Sequence, residues 1–329
     1  MQRTAGATFL ESARALFPSK TVLLLLKGGV SLGLLVYLFQ SVDLNSFLKT
    51  LSGASPDLLL VGALTYIAAQ YLSAYRWQVL LKPHEIKVSV HRLFSFYLVG
   101  MFFNNFLPTS VGGDVVKGVD LYRHSGKGNA AVATVFLERY TGLIALLAIG
   151  LAAMVLGHLY FPDPVVALLL VGMAAAFIAG TFAVANRYVQ MIFLKMARKR
   201  GFAKAGRSLS KLYETFAGYR EHKNIFLQAV WISFGIQFLN ILVYILLAEG
   251  LGISASWGYF FLFFPIVTVI AMLPLSFNGL GMREGMMVYL FAKVGVPSAQ
   301  ALALSLTWFF IITGISLLGG VIFALRRNV

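Results

Sequence analysis

Two stretches break an otherwise apolar chain: Leu107-Pro108-Thr109-Ser110-Val111-Gly112-Gly113-Asp114 and Leu273-Pro274-Leu275-Ser276-Phe277-Asn278-Gly279-Leu280-Gly281-Met282-Arg283-Glu284. Each lies inside a longer apolar run, 93–124 and 257–295. Proline lacks the backbone donor that a helix interior needs, and glycine accepts backbone conformations that other residues avoid. Both stretches therefore predict a helix that stops and restarts. In hydrocarbon, a stopped helix exposes N–H and C=O groups at several kcal/mol each, which is tolerated only where protein, water or a ligand satisfies them. How these breaks are accommodated decides the fold.

Around them the sequence is built for lipid. Of 329 residues, 59% are apolar and 12% charged, about half the charged fraction of a soluble domain. Six uninterrupted segments approach or exceed the ~20 residues of a spanning helix: 21–40, 57–81, 129–157, 164–186, 225–250 and 301–325. The first could be mistaken for a signal peptide, but Val22 to Phe39 is too long for an h-region and lacks a small-residue exit, so it is expected to be retained. The whole of 1–329 is expected to form one integral membrane domain.

The net charge of +15 does not indicate a nucleic-acid partner, because the basic residues gather beside apolar spans, where anionic headgroups lie. Residues 187–223 hold ten Lys/Arg against Glu214 and Glu221, whereas 158–163, 251–256 and 296–300 hold none. By the positive-inside rule the basic segment is cytoplasmic. The same holds for the N-terminus (Arg3, Arg14, Lys20), the 82–92 loop (Lys82, Lys87, Arg92) and the tail (Arg326, Arg327). These assignments are consistent only if each interrupted stretch returns to the side it came from. Two re-entrant hairpins follow, the first from the cytoplasm and the second from outside, with 187–223 lying along the headgroups. The expected location is the cell membrane.

The two breaks also resemble each other. Leu-Pro-x-Ser, then Val or Phe, then glycines and an acid occur in both, 166 residues apart, and Gln70-Tyr71-Leu72-Ser73 matches Gln237-Phe238-Leu239-Asn240 at an offset of 167. Each copy reads helix, broken hairpin, helix, over 57–157 and 225–325. Since one span, 164–186, separates them, the second copy is inverted. The expected fold class is thus an all-α polytopic membrane protein, an inverted repeat with six full spans and two broken hairpins. Interrupted segments at corresponding positions of inverted repeats point to a transporter site near the midplane, and helix N-termini aimed at a break favour anionic groups.

The candidate binding residues cluster at the breaks. The first hairpin offers Asn104, Asn105, Gly112, Gly113, Asp114 and Lys117, its glycines either admitting a ligand to the backbone or simply making the turn. Glu138 and Arg139 stand about 15 Å into their helix at 1.5 Å per residue. A charge there is costly, at least ~2.5 kcal/mol on insertion scales. Adjacent helical positions point about 100° apart, so each needs its own partner, from the hairpins, either as part of a site or as a structural ion pair. The second hairpin offers Asn278, Gly279, Gly281, Arg283 and Glu284. Arg283 suits a phosphate or a bridge to Asp114 or Glu138. Gln70, Gln237 and Asn240 suit interhelical hydrogen bonds, and Arg76 and Lys27 are expected to snorkel.

At these motifs the sequence resembles the flippase-like membrane region of lysylphosphatidylglycerol synthases. The residues that carry the likeness are Asn104-Asn105-Phe106-Leu107-Pro108 with Gly112-Gly113-Asp114, Glu138-Arg139-x-x-Gly142, and Asn278-Gly279-x-Gly281-x-Arg283-Glu284. It extends from about residue 20 to 325. In two-part members a cytosolic domain makes an aminoacyl lipid and the membrane region moves it. The chain is expected to lack that soluble domain, so the resemblance implies lipid translocation without lysyl transfer.

The expected function is a flippase-like transporter that moves an anionic, aminoacyl or polyprenyl-phosphate-linked lipid between leaflets. Its expected partner is a lipid headgroup phosphate, and a lipid-modifying enzyme stays open as a second partner. No cysteine is present, the five histidines have no metal-ligand spacing, and no Gly-x-x-x-x-Gly-Lys-Ser/Thr loop occurs. No metal, cofactor or catalytic residue is therefore expected. Two other classes remain, a membrane-embedded transferase acting on lipid-linked sugars and a non-transporting partner subunit.

Overall fold

The structure, a computed structural model, describes residues 20–106, 112–157, 163–186, 191, 219, 222–273 and 275–326. Residues 107–111 with Pro108, Pro274, the N-terminal basic residues before Lys20, Arg327 and nearly all of the 187–223 basic segment lie outside them. Among the described residues the regular secondary structure is entirely helical: α1 (Lys20–Ser41), α2 (Leu44–Ser52), α3 (Pro56–Leu81), α4 (Val90–Phe106), α5 (Gly112–Ser125), α6 (Gly128–Gly157), α7 (Pro164–Ala185), α8 (Lys223–Gly250), α9 (Trp257–Met272), α10 (Met282–Ala292) and α11 (Ser298–Leu325).

Local chemistry sets several boundaries. Pro56 opens α3 and Pro164 opens α7, where the missing N–H is no loss. The Asp163 carboxylate accepts from the Val165 and Val166 amides at 2.9 and 3.0 Å, and Asp43 caps α2 in the same way. Five of the six expected spans are single helices long and apolar enough to cross a membrane: α3, α6, α7, α8 and α11. The sixth is qualified. From Lys27 onward α1 counts as a span only together with α2, into which the chain bends by 92°. The short helix α2 was not foreseen; it buries Phe47 against α11 through Ala299, Leu302 and Ala303.

Both interrupted runs fold as helical hairpins. At 17, 14, 16 and 11 residues, α4, α5, α9 and α10 are each too short to span alone. The ends of the first hairpin return to one level, where Arg92 Nη1 stands 3.3 Å from the His124 ring. In the second, the rings of Phe260 and Phe291 lie 5.1 Å apart at the base. The two hairpins meet near their turns, where Asn278 Nδ2 donates to Asn105 Oδ1 at 3.2 Å.

Each of the two stretches expected to be copies packs on elements of the other. The leading helices α3 and α8 run antiparallel along each other, with Ser55 N–H donating to Gly250 O at 2.7 Å at one end and Arg76 Nη1 donating to Ser233 Oγ at 2.8 Å toward the other. Helix α4 packs on α11, and its counterpart α9 packs on α6. Glycine permits the closest approaches: a Cβ at Gly319 would collide with the Leu98 carbonyl, and one at Gly150 would press on Pro265. Helix α1 leans on the second tip, its Ser31 Oγ accepting from Phe277 N–H at 2.9 Å.

The outer surface is apolar. Leu168, Ile178 and Phe182 of α7 and Trp231, Phe310 and Leu325 elsewhere are all largely exposed, a surface suited to lipid and not to water. This is a multi-pass membrane protein. Its two ends differ in charge. Lys127 Nζ donates to His84 O at 2.8 Å, and Arg326 pairs with Asp120 at 3.6 Å, at the end that also holds Arg92. At the other end Lys293 pairs with Asp163 at 2.6 Å. That ammonium, above all, holds the Asp163 carboxyl below its ordinary range.

Candidate functional site

The first cluster forms because two glycines let α4 and α5 touch backbone to backbone. A Cβ at Gly113 would collide with the Gly100 carbonyl, and one at Gly100 would press on Lys117. Asn104 Oδ1 accepts from Gly113 N–H at 2.7 Å and so satisfies a donor at the start of α5. With Gly112 and Gly113 buried at that start, Lys117 is drawn inward one turn later. Its ammonium lies 3.8 Å from the centre of the Tyr97 ring and 5.2 Å from that of Trp77.

Helix α6 supplies the other half. Glu138, only 2% exposed, accepts from the Tyr97 hydroxyl and from Lys117 Nζ at 3.2 Å, and Arg76 Nη2 lies 3.8 Å from it. Its neighbour Arg139 points elsewhere and pairs with Asp114, which Lys117 also approaches to 3.5 Å. The divergence of adjacent helical positions thus sends Glu138 and Arg139 to different partners, both on the first hairpin as expected. Among the described residues the cluster holds three cations, Arg76, Lys117 and Arg139, against two carboxylates, Asp114 and Glu138. Arg76 Nε is buried without a hydrogen-bond partner among them.

Arg76 corrects the expectation that it snorkels. It is 7% exposed and turned inward, because Ser233 on α8 offers a hydroxyl and Gly142 on α6 leaves room, a Cβ there standing 3.4 Å from Arg76 Nη1. Gln237, by contrast, makes the expected interhelical bond, donating to Gly142 O at 3.1 Å.

The second cluster is separate. Asn278, Gly279 and Gly281 take φ of 45°, 77° and 83°, the left-handed turn that carries the chain from α9 into α10. Glu284, fully buried, reaches back to accept from Gly281 N–H at 2.6 Å. Arg283 pairs with this same carboxylate and lies over Phe309, 5.4 Å from the ring centre. The anticipated bridge from Arg283 to Asp114 or Glu138 does not form. The reason is local: a carboxylate curled back to cap its own helix brings its oxygens within reach of the preceding side chain, although mid-helix neighbours diverge. Ser305 stands 3.4 Å from both groups.

Among the described residues, the sequence-derived ones therefore fall into two groups joined near the tips of the hairpins. Asn105 makes that junction, accepting from Asn278 and donating to Ser316 Oγ at 2.7 Å. Sequence reasoning missed Arg76, Tyr97 and Trp77. Of these only Arg76 carried a signal, a cation within an apolar helix.

Taken together, the apolar exterior, the two opposed helical hairpins and the buried charges define a polytopic all-α membrane protein with a polar interior. The family described as the lysylphosphatidylglycerol synthase TM region matches residues 24–320, and the chain belongs to that family. Relatives include a UPF0104 membrane protein of Methanothermobacter thermautotrophicus, 24% identical over 303 residues that cover 86% of this chain and 89% of the relative. Another, from Pyrococcus horikoshii, is 26% identical over 329 residues, covering 91% and 96%.

Proposed function

We propose that this chain moves an amphipathic lipid between the leaflets of the cell membrane, without transforming it. The lipid's polar head would pass through the region where the hairpin tips meet. The observation that carries this reading is the buried first cluster, where among the described residues Arg76, Lys117 and Arg139 gather around Asp114 and Glu138 inside a membrane-embedded bundle. Charge at that depth is costly, and cations held there favour anionic partners, a passing guest among them. Lipid headgroups carry a phosphate that meets this need, whether the lipid is an anionic phospholipid, an aminoacyl lipid or a polyprenyl-phosphate derivative. The hairpins support the same reading, because broken helices inside a bilayer give a polar guest backbone and side-chain partners that continuous helices withhold. In this arrangement the basic end and both termini face the cytoplasm.

The test is reconstitution in liposomes with a headgroup-labelled anionic phospholipid and an impermeant quencher. Wild-type protein should expose inner-leaflet label to the quencher faster than protein-free liposomes, and Asp114→Ala, Glu138→Ala and Arg283→Ala, at normal insertion, should slow the exchange. Rates equal to empty liposomes across anionic, aminoacyl and polyprenyl-phosphate lipids would sink the proposal. A covalently new lipid in the extracts would point to a transferase.

A further inference from the structure

Helix α1 is 22 residues long, about 33 Å at 1.5 Å per residue, which is enough to cross the hydrocarbon by itself. At its far end the chain turns by 92° into α2. The next span, α3, starts soon afterwards at Pro56, so α2 lies between two spans and across their direction, at the level where the bilayer ends. Its sequence fits that level. Leu44, Leu48 and Leu51 recur at the i, i+4, i+7 spacing of one helix face, and they are 54%, 53% and 38% exposed. Asn45, Ser46 and Lys49 hold the other side and are exposed too. Beside the leucines, Phe47 is buried against Ala299, Leu302 and Ala303 of α11. The elbow is packed: the Phe39 and Phe47 rings meet edge-on with centres 5.8 Å apart, and Leu38 joins the same buried group. Below the elbow α1 rests on the turn of the second hairpin. Ser31 Oγ accepts from Phe277 N–H at 2.9 Å, the Phe277 ring lies against Gly28, and Gly281 fits because it has no side chain to strike Leu34.

We infer that α2 is an in-plane helix whose Leu44, Leu48 and Leu51 dock in the lipid surface at this end of the molecule, and that this anchor holds α1 over the turn of the second hairpin. An amphipathic helix gains by sinking its apolar face into the boundary of headgroups and acyl chains while its polar face stays in water. Lys49 is the only charged residue within α2, and Asp43 caps the helix, so the seat depends on apolar area and not on lipid charge. The packed elbow passes the position of α2 on to α1. In turn α1 supplies the acceptor for Phe277 N–H, a donor that hydrocarbon would leave unsatisfied. With the basic end in the cytoplasm, as proposed above, the surface is that of the outer leaflet; docking itself requires neither that orientation nor lipid transport.

The experiment places the full chain in phosphatidylcholine vesicles and uses spin labels, for which the absence of native cysteine leaves a clean background. A nitroxide on Leu48→Cys should collide more with dissolved oxygen than with a water-soluble nickel chelate, and one on Lys49→Cys should do the reverse. A second pair, on Tyr37→Cys of α1 and Ala292→Cys of α10, both exposed, reports how firmly α1 is held. Their separation should form a single narrow band, and Leu44→Asp/Leu48→Asp should lose it. Should that variant fail to fold, Leu44→Ser/Leu48→Ser answers the same question. Asn45→Asp/Lys49→Asp, on the polar side, should keep the narrow band. Equal depth for the labels at 48 and 49, or a narrow band that survives in the leucine variants, would overturn the inference. A docked α2 in a protein that exchanges no lipid would leave this inference standing and remove the transport reading.

Discussion

Glu138 receives the Tyr97 hydroxyl, the Lys117 ammonium and the Arg76 guanidinium. Removing it leaves two buried cations facing each other across an emptied position. Glu138→Ala should therefore destabilise the protein by about 3–5 kcal/mol, the usual consequence of breaking a buried pair from one side. Glu138→Gln keeps an acceptor for Tyr97 and should lose less, while Arg76→Met, which removes the partner farthest from the carboxylate, 3.8 Å away, should lose least of the three. Thermal unfolding in detergent ranks them, and equal midpoints for Glu138→Ala and wild type would mean that these side chains do not pair. The sequence revealed that Glu138 and Arg139 sit deep in a helix and must part company, because residue depth and the 100° step need nothing beyond the chain itself. It could not place Arg76. A cation five residues before a helix end looks the same whether it reaches back to water or turns inward, and here Ser233 and Gly142, far away in sequence, decide the matter.

The hairpins were legible as elements because their signals are local. Proline and glycine interrupt the apolar runs, and the resulting pieces are too short to cross. Where each tip points depended on contacts between distant parts, and so did the separation of Arg283 from the first cluster. Gly281 at φ 83° places the Glu284 carboxylate over the start of α10, where it captures Arg283 before any group on α5 or α6 can. The Asn105–Asn278 hydrogen bond is then a direct link between the two tips among the described residues, and the hairpins would have to part here for a polar head to pass. The chain has no cysteine, so Asn105→Cys/Asn278→Cys introduces the only thiols. A short bifunctional thiol reagent should bridge them and stop lipid exchange, while either single variant treated alike should continue to exchange. Exchange that persists in the bridged protein would show that the tips do not move apart, and failure to bridge would show that they do not meet.

For the whole molecule, the hairpins have a consequence that ordinary spans would not: each must begin and end on the same face. The first returns to the basic end, where Arg92 meets His124 and Lys127 reaches the His84 carbonyl. The second returns to the opposite end, where Lys293 holds Asp163 at the start of α7 and Glu249 accepts from the Trp257 indole. If α4 and α5 were instead a crossing helix and a loop, Arg123 would lie on the side opposite Lys87, and every later connection would invert. Four single-cysteine variants separate these arrangements: Lys87→Cys, Arg123→Cys, Ser254→Cys and Ala292→Cys, all at exposed positions. In inside-out vesicles an impermeant maleimide should label the first two and spare the others, and intact cells should give the reverse. Labelling of Lys87→Cys and Arg123→Cys from opposite sides would make the first hairpin a full crossing. The buried charges would then lie along a crossing helix, and the path proposed for the lipid head would have to be redrawn.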